Sequence, residues 1–502
     1  MDISPDKQNI DRLFSNTTYY IDFYQRDYKW TKEPVERLLD DIFYRFGQEY
    51  QNKKALDPTP EVISGHYPWY YLNTYVTNTI EGKVYVVDGQ QRLTTLTLML
   101  IKLYHLAKEF DSRSEKWLEN KIAGYSGMEY SFWMNHEKHK QILKDLFEGQ
   151  KDFKEMDASS GITAINMLSN YQIISKFFDE QLSDKHQFET FVMYFLHRLV
   201  LINLSVEQTN VPMIFEVIND RGVRLKPYEI LKGKLLGQID KIELDSKDYN
   251  GLWEKQVQSI NKFKENEIDT FFTYFLKAKF SNTQAEGKRF DGDYHREMFS
   301  NDVNNNLKLK HNSAEVKRFL EQTFTYYTQL YLKIWRAYSQ YDNSYEHVFF
   351  NRLNEMDGQF LLILSSCKLN DEEEEEKIAK IAYELDRFFS LLQLQNAYES
   401  NTFSQTLYKI SSEIREQPVA KVREVFDKYL LEQLSTRRNS EATEPIQYAF
   451  FKSTGINLNM RFKRYFFARI EKLFADNTKV NMKQQFEDLV TKTGPKTGFH
   501  IE

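Results

Sequence analysis

Residues 86–100 read VVDGQQRLTTLTLML. A β-branched run (Val84, Val86, Val87) stops at Asp88-Gly89, and an apolar pattern with helical spacing begins at Gln90. The order is strand, turn, helix. Arg92 then falls in the first helical turn, where unpaired backbone N–H groups and the helix dipole make the potential positive. A cation there costs about 0.3–1 kcal/mol unless an anion answers it. Two readings stand. In one, Asp88-Gly89 is a plain turn and Arg92 pairs with Asp88 or another carboxylate. In the other, the amides after Gly89 and the Arg92 guanidinium grip one phosphate together, and Gly89 lets the backbone approach it closely. Thr94 and Thr95 add hydroxyls, directed to such a ligand, to the core or to solvent. Asp88, at the strand's end, suits a metal, a water or a ribose hydroxyl.

The neighbouring segments extend the pattern. WYYLNTYVTNTIEGKVYVVDG (69–89) is predicted as a hairpin turning at Glu81-Gly82. TTYYID (17–22) has strand composition and FYQRDYKW (23–30) follows it. A helix is expected from Thr31, its N-cap, to about Tyr50, on Val35, Leu38, Leu39, Ile42, Phe43 and Phe46. Residues 5–14 suit a short helix with Ser4 as N-cap and Pro5 at its first position. The proline-bearing stretch 51–68 reads as a loop, and 111–160 as short helices and loops. Helices are expected at 162–182 and 187–197. LVLINLSV (199–206) reads as a buried strand. A helix from about Val211 to Asn219, a turn at NDRG and a further helix from Lys226-Pro227 complete this half.

Beyond residue 250 the strand signal fades. Pro and Gly become sparse, and sets such as Phe271, Phe272, Phe275 and Leu276 recur at helical spacing. The expected fold class is α+β: a mixed N-terminal domain over 1–240, then a mostly α-helical domain over 250–502. DEEEEE (371–376) is expected to be the solvated start of a helix.

Composition narrows the function classes. At 502 residues the chain exceeds one ordinary core, and 41% hydrophobic residues can fill more than one. A net charge of −6 is mild, so a DNA site has to be a local basic patch. The single cysteine, Cys367, rules out an intramolecular disulfide or a cysteine-based zinc cluster and reads as a small core residue. The N-terminal MDISPDKQNIDRLF has no secretory pattern, and no run approaches the ~18 apolar residues of a membrane span. A cytoplasmic protein with no membrane partner is expected.

VVDGQQRLTTL resembles the D-G-Q-Q-R-L-T-T-L signature of the ParB/sulfiredoxin-like domain of GmrSD-type type IV restriction endonucleases. YQRDYKW (24–30) is similar to that family's Y-Q-R-x-Y-x-W element. FEVINDRGVRLKPYEILKGKLL (215–236) is similar to its F-x-x-x-N-x-x-G-x-x-L-x-x-x-[DE]-[IL]-[IL]-K segment. The resemblance implies a ParB/sulfiredoxin-like fold over about 1–240, a nucleoside triphosphate with Mg²⁺, and sensing of modified double-stranded DNA. No Walker A sequence is present, so hydrolysis would use a site of another kind. Asp88 (also the metal ligand), Gln91 and Arg92 carry the expected chemistry. Tyr24, Gln25, Arg26, Gly89, Gln90, Thr94, Asn219, Asp220 and Gly222 are the expected nucleotide contacts. Arg26 has the fork that fits phosphate, against a structural salt bridge. Tyr28 and Trp30 read as anchors of the loop on the core. Asn219 to Gly222 form either a pocket wall or a helix C-cap. Arg224 and Lys226 are phosphate contacts or solvated cations.

RYFFARIEKLF (464–474) resembles the helix that precedes the nuclease core in the same family, where a strand carrying H-I-E-H-I-L-P follows. His500-Ile501-Glu502 stand at that point here. The expectation is a sensor and NTPase part, with an HNH nuclease incomplete in this chain and supplied by a further domain or a separate chain. A homo-oligomer is compatible with this. Arg437 and Arg438, or Arg461, Lys463 and Arg464, are candidate phosphate contacts in the helical half. The rival expectation is a non-enzymatic nucleic-acid-binding or regulatory module that uses the DGQQR pocket to hold phosphate without turnover.

Overall fold

The computed structural model describes residues 4–21, 27–126, 128–136, 139–150, 161–206, 226–454, 458–480, 482 and 485–492. The chain divides into two compact units, 1–237 and 238–502. The first is α+β and the second is helical.

Unit 1 is built on a six-stranded sheet. Its elements in chain order are β1 (Ser4–Asn9), α1 (Ile10–Leu13), β2 (Tyr19–Ile21), α2 (Lys32–Lys53), α3 (Pro60–His66), β3 (Tyr70–Ile80), β4 (Lys83–Asp88) and α4 (Gln90–Glu109). They are followed by α5 (Glu115–Ile122), β5 (Ala123–Ser126), β6 (Glu129–Phe132), β7 (Met134–Asn135), α6 (Lys140–Glu148), α7 (Ile162–Gln181), α8 (Lys185–Arg198), β8 (Leu199–Ser205) and α9 (Pro227–Leu236). The strand order is β1-β8-β3-β4-β2-β7, and β5 pairs with β6 in a small separate hairpin. β4, β2 and β7 run parallel to one another, with Tyr20 opposite both Tyr85 and Asn135. β3 is antiparallel to β4 and parallel to β8. The predicted turn is present: Glu81 and Gly82 both have positive φ, +48° and +79°, which matches the right-handed twist of a two-residue hairpin.

α4 lies at the centre. Sixteen of its 20 residues are buried, so it is enclosed on nearly all sides and not on one stripe alone. Its threonines are accommodated because Thr95 and Thr97 donate to the carbonyls of Gln91 and Leu93 four residues back, at 2.8 and 3.0 Å. One apolar core joins Leu96, Met99, Leu100 and Leu103 of α4 to Leu39, Ile42 and Phe46 of α2, to Ile174 and Phe178 of α7, and to Phe188 and Phe191 of α8. Tyr19, Tyr75, Val86 and Met134 carry the sheet into that core.

Several expectations are corrected here. Residues 4–9 are a strand, not the first turn and a half of a helix. They pair antiparallel with β8, from Ser4 opposite Ser205 to Asn9 opposite Val200. Pro5 is tolerated because β1 is the sheet edge. The helix cap is Asn9, not Ser4: its side chain accepts from the Arg12 amide at 2.9 Å. The stretch 51–68 contains α3, with Thr59 as N-cap and Pro60 at its first position. Residues 123–135 contribute three strands that composition alone does not signal. The helices expected at 162–182 and 187–197 and the strand at 199–206 form with ends shifted by two residues or fewer. The helix expected at 211–219 and the NDRG turn lie outside the described residues.

In unit 2, long helices such as Glu267–Phe280, Thr325–Ser339, Glu374–Leu394 and Ala420–Arg438 pack on aromatic rings. Trp253 stacks on Phe324 at 4.9 Å and Phe272 on Phe324 at 5.5 Å. Cys367 is fully buried, as its reading as a core residue required. The acidic run is not wholly solvated. Asp371 and Lys377 are both 1% exposed in their side chains and pair at 2.7 Å, while Asp371 also accepts from the amides of Lys368 and Glu373. The helix begins within the run, at Glu374, with Glu375 and Glu376 in its first turn.

Candidate functional site

Parallel strands collect their carboxyl ends on one edge of a sheet, and ligands favour that edge. Here the edge gathers Ile21, Asp88 and Asn135, the last residues of β2, β4 and β7. Two irregularities sit beside it. The β3–β4 register slips between Val76 and Thr77, so that Val87 is the extra residue of a bulge. The β3–β8 register slips between Tyr71 and Asn73, and Asn73 takes φ +121°, outside the range of an ordinary strand. Its own Oδ1 accepts from the Thr74 amide at 2.8 Å and holds that bend.

Gly89 makes the turn into α4. Its φ is +95°, and a Cβ placed on it would lie 2.7 Å from Tyr75 Cβ and 3.3 Å from Tyr75 Cα. Glycine is therefore demanded by backbone angle and by close packing together. No side chain caps α4, and its first turn holds no acidic residue. Gln90 is 4% exposed, and its Oε1 has no hydrogen-bond partner.

Arg92 points back towards the bent strand. Nη1 donates to the Thr74 carbonyl at 3.3 Å, and the guanidinium forms no other hydrogen bond and no ion pair among the described residues. Burial lowers its pKa, and the charge of Asp88 nearby acts in the opposite direction. The ion pair that the plain-turn reading expected of Arg92 does not occur among the described residues.

Gln91 does something the sequence does not announce. Its Oε1 accepts from the amides of Lys29 and Trp30 at 2.7 and 3.0 Å, and its Nε2 donates to the Asp27 carbonyl at 3.0 Å. One side chain thus clamps the backbone of the 27–30 loop to the start of α4. Tyr28 is fully buried, as its anchoring role required. Its hydroxyl contacts Thr95 Oγ1 at 2.8 Å and accepts from Asn170 Nδ2 at 2.9 Å, and burial pushes its pKa up to about 12. Asn170 also donates to the Trp30 carbonyl at 2.7 Å. The loop is tied to the third motif through Lys29 Nζ and Glu229 Oε1 at 3.1 Å. Glu229 in turn caps α9 by accepting from the Lys226 amide at 2.9 Å. Parts of all three sequence motifs therefore meet.

Thr94 meets the residue that follows the end of β7. It is fully buried, and its hydroxyl contacts His136 Nε2 at 2.9 Å. Its hydroxyl is thus already occupied by a protein partner among the described residues. Burial, and then the neighbouring His139, pull the His136 pKa down to about 3. No sequence signal pointed to His136, since β7 was read as loop. Tyr24, Gln25, Arg26, Asn219, Asp220, Gly222 and Arg224 lie outside the described residues.

Three of the candidate cations of unit 2 are engaged within the chain, while Arg464 Nε is buried without a partner among the described residues. Arg461 pairs with Glu355 and donates to the Leu353 carbonyl at 2.9 Å. Arg437 donates to the Asn396 carbonyl at 2.9 Å. Arg438 donates to Gln395 Oε1 at 2.6 Å and stacks over Phe450. Among the described residues, no three His, Cys, Asp or Glu side chains group as a metal cluster, and no helix is long and apolar enough to cross a membrane.

A family model described as the GmrSD restriction endonuclease N-terminal domain matches residues 10–236. Unit 1 is a GmrSD N-terminal domain. The match takes in all three motifs and nearly the whole of unit 1. Residues 10–236 thereby carry the N-terminal domain of a restriction endonuclease family. No curated protein matches the chain. Within this GmrSD domain, the residues that the family signature shares with this sequence divide into two sets. Gln91 and Thr94 face protein, whereas Asp88, Gly89 and Arg92 stand at the strand edge.

Proposed function

We propose that the chain is the nucleotide-dependent sensor of its restriction system: it binds and hydrolyses a nucleoside triphosphate and couples this to recognition of modified foreign DNA and to an HNH nuclease. The observation that carries the reading is Arg92. It is half-buried at an uncapped helix N-terminus, with four of its five N–H donors unused by the described protein. An isolated buried cation is expensive, and a phosphate in contact with the Gly89–Arg92 amides would satisfy it.

The roles divide by position. Gly89 admits the phosphate to the backbone, Arg92 neutralises it, and Gln91 positions the 27–30 loop without touching ligand. Asp88 is the residue that would hold Mg²⁺. A single carboxylate fits that ion, which takes one or two carboxylates and completes its octahedron with phosphate oxygens and water. When bound, the ion would supply charge stabilisation at the phosphates. Steric and electrostatic change at this edge would pass to the loop through Gln91 and Lys29.

Phosphate release from ATP, GTP, CTP and UTP with Mg²⁺, with and without modified DNA, tests the proposal beside Asp88→Ala and Arg92→Ala. Turnover lost in both variants supports it. Nucleotide binding without turnover in the wild-type chain would favour a module that holds phosphate as a structural ligand.

A further inference from the structure

Of the cations expected to meet DNA in the helical unit, Arg437, Arg438 and Arg461 are engaged with their own protein. Unpaired ones occur elsewhere. Among the described residues, Arg37 and Arg45 on α2 and Arg198 at the end of α8 form no ion pair and no side-chain hydrogen bond. Three acids of α2 are committed, whereas Glu33 and Asp40 form no ion pair among the described residues: Glu36 pairs with Lys32, Glu49 with Lys53, and Asp41 accepts from the Tyr70 hydroxyl at 3.3 Å.

These three arginines are neighbours. Tyr70 ties the start of β3 to α2 through Asp41, and it lies directly opposite Leu199, the residue after Arg198. Phe46 of α2 lies 5.5 Å from the ring of Tyr194 on α8. Arg37 and Arg45 are within electrostatic reach of the Tyr70 hydroxyl, and Arg45 and Arg198 of the Tyr194 hydroxyl. Two polar atoms in the cluster are sealed from solvent with no partner, Arg198 Nε and the Tyr194 hydroxyl. Exposed rings border it: Tyr44 is 66% and Trp69 59% exposed. Three arginines without ion-pair partners among the described residues, mixed with accessible aromatic faces, suit a polyanion that also presents flat rings.

We propose that the face of unit 1 formed by Arg37, Arg45 and Arg198 docks the phosphate backbone of double-stranded DNA. Arg37 and Arg45 are eight residues apart on one helix, or about 12 Å along its axis. That separation is comparable with the ~12 Å major groove, so the two can meet phosphates on both strands of a duplex. These contacts position the duplex and carry no base specificity. The surface rests on the restriction reading of the chain and does not depend on nucleotide hydrolysis.

The test is binding of the full chain to a fluorescent 30-base-pair duplex across a salt series. Wild type is compared with the triple variant Arg37→Ala, Arg45→Ala, Arg198→Gln, and with Arg437→Ala as a control. Nucleotide binding and thermal melting are recorded for each. The expected result is binding weakened by ~10-fold or more and a log–log salt slope shallower by about 2–3 in the triple variant, with nucleotide binding and melting unchanged. A triple lysine variant is expected to restore the slope. An unchanged slope, or a wild-type chain that binds no duplex, overturns the proposal, as does wild-type binding to anionic lipid vesicles in place of DNA. Nucleotide turnover that fails while the slope still changes counts against the hydrolysis reading alone.

Discussion

Gln91 Oε1 accepts from the backbone amide of Lys29 at 2.7 Å, across 62 positions of sequence. It accepts from Trp30 as well, so a single oxygen satisfies two loop amides. Gln91→Ala strands both donors, at about 1–3 kcal/mol for each that water does not reach. Gln91→Glu keeps the acceptor but turns a carboxylate oxygen, with no proton to donate, towards the Asp27 carbonyl. The expected order of stability is therefore wild type, then Glu, then Ala. Hydrogen exchange at the Lys29 and Trp30 amides checks it, and both should exchange fastest in the Ala variant. An equal rate in all three would remove the clamp from the account.

Gly89 and Gly82 both have positive φ but differ in surroundings. A Cβ at Gly82 meets open space, whereas one at Gly89 meets the Tyr75 backbone. Gly82→Ala is expected to cost about 1 kcal/mol, from backbone angle alone. Gly89→Ala adds displacement of β3 and is expected to cost at least ~2 kcal/mol. In a unit of this size that lowers Tm by roughly 4–8 °C. Equal melting of the two variants would show that the Gly89 turn gives way without moving β3.

What the sequence disclosed follows from how local each signal is. The β4-turn-α4 unit was legible because strand, glycine and helix are contiguous and each has its own periodicity. The three motifs were legible through resemblance. Residues 4–9 misled, because Ser4-Pro5 is a good local helix start and the pairing with β8 lies about 200 positions away. β7 is two residues long and too short for any periodicity, so His136 went unread. Which polar residues of DGQQRLTT face ligand and which face protein depends on the 27–30 loop and on β7, and neither is visible in that stretch. The basic clusters of unit 2 looked free in sequence because their acceptors, such as Asn396 and Leu353, are distant carbonyls.

His136 gives the fold a pH dependence of defined sign. Its pKa falls from 6.5 to about 3 on folding, chiefly because burial disfavours the imidazolium. Between those values the unfolded chain binds a proton that the folded chain excludes. Stability is thus complete above pH 6.5 and falls as the pH drops towards 3, by up to about 1.4 kcal/mol per unit. Urea denaturation at pH 6.5 and pH 5 is expected to show a loss of about 1–2 kcal/mol, before most carboxylates titrate. His136→Gln retains a hydrogen-bonding group beside Thr94 and should flatten that interval. A slope that persists in the variant would assign it to other groups.

Arg92 sets stability against ligand binding. Without ligand it is a half-buried cation with one 3.3 Å hydrogen bond and no ion pair among the described residues. Replacing such a group with an apolar side chain of similar length relieves desolvation and removes an unfavourable charge at a helix N-terminus. Arg92→Met is therefore expected to melt at or above the wild-type temperature in the absence of ligand. With nucleoside triphosphate and Mg²⁺ at 100 times its Kd, the wild-type chain should gain about 2.7 kcal/mol. The Met variant should gain little of it, and Arg92→Lys, with its point charge in place of a fork, an intermediate share. Melting curves of the three proteins with and without nucleotide decide the matter. Lower ligand-free stability in Arg92→Met would mean that the Thr74 contact is structural and that no anion is needed to explain the arginine.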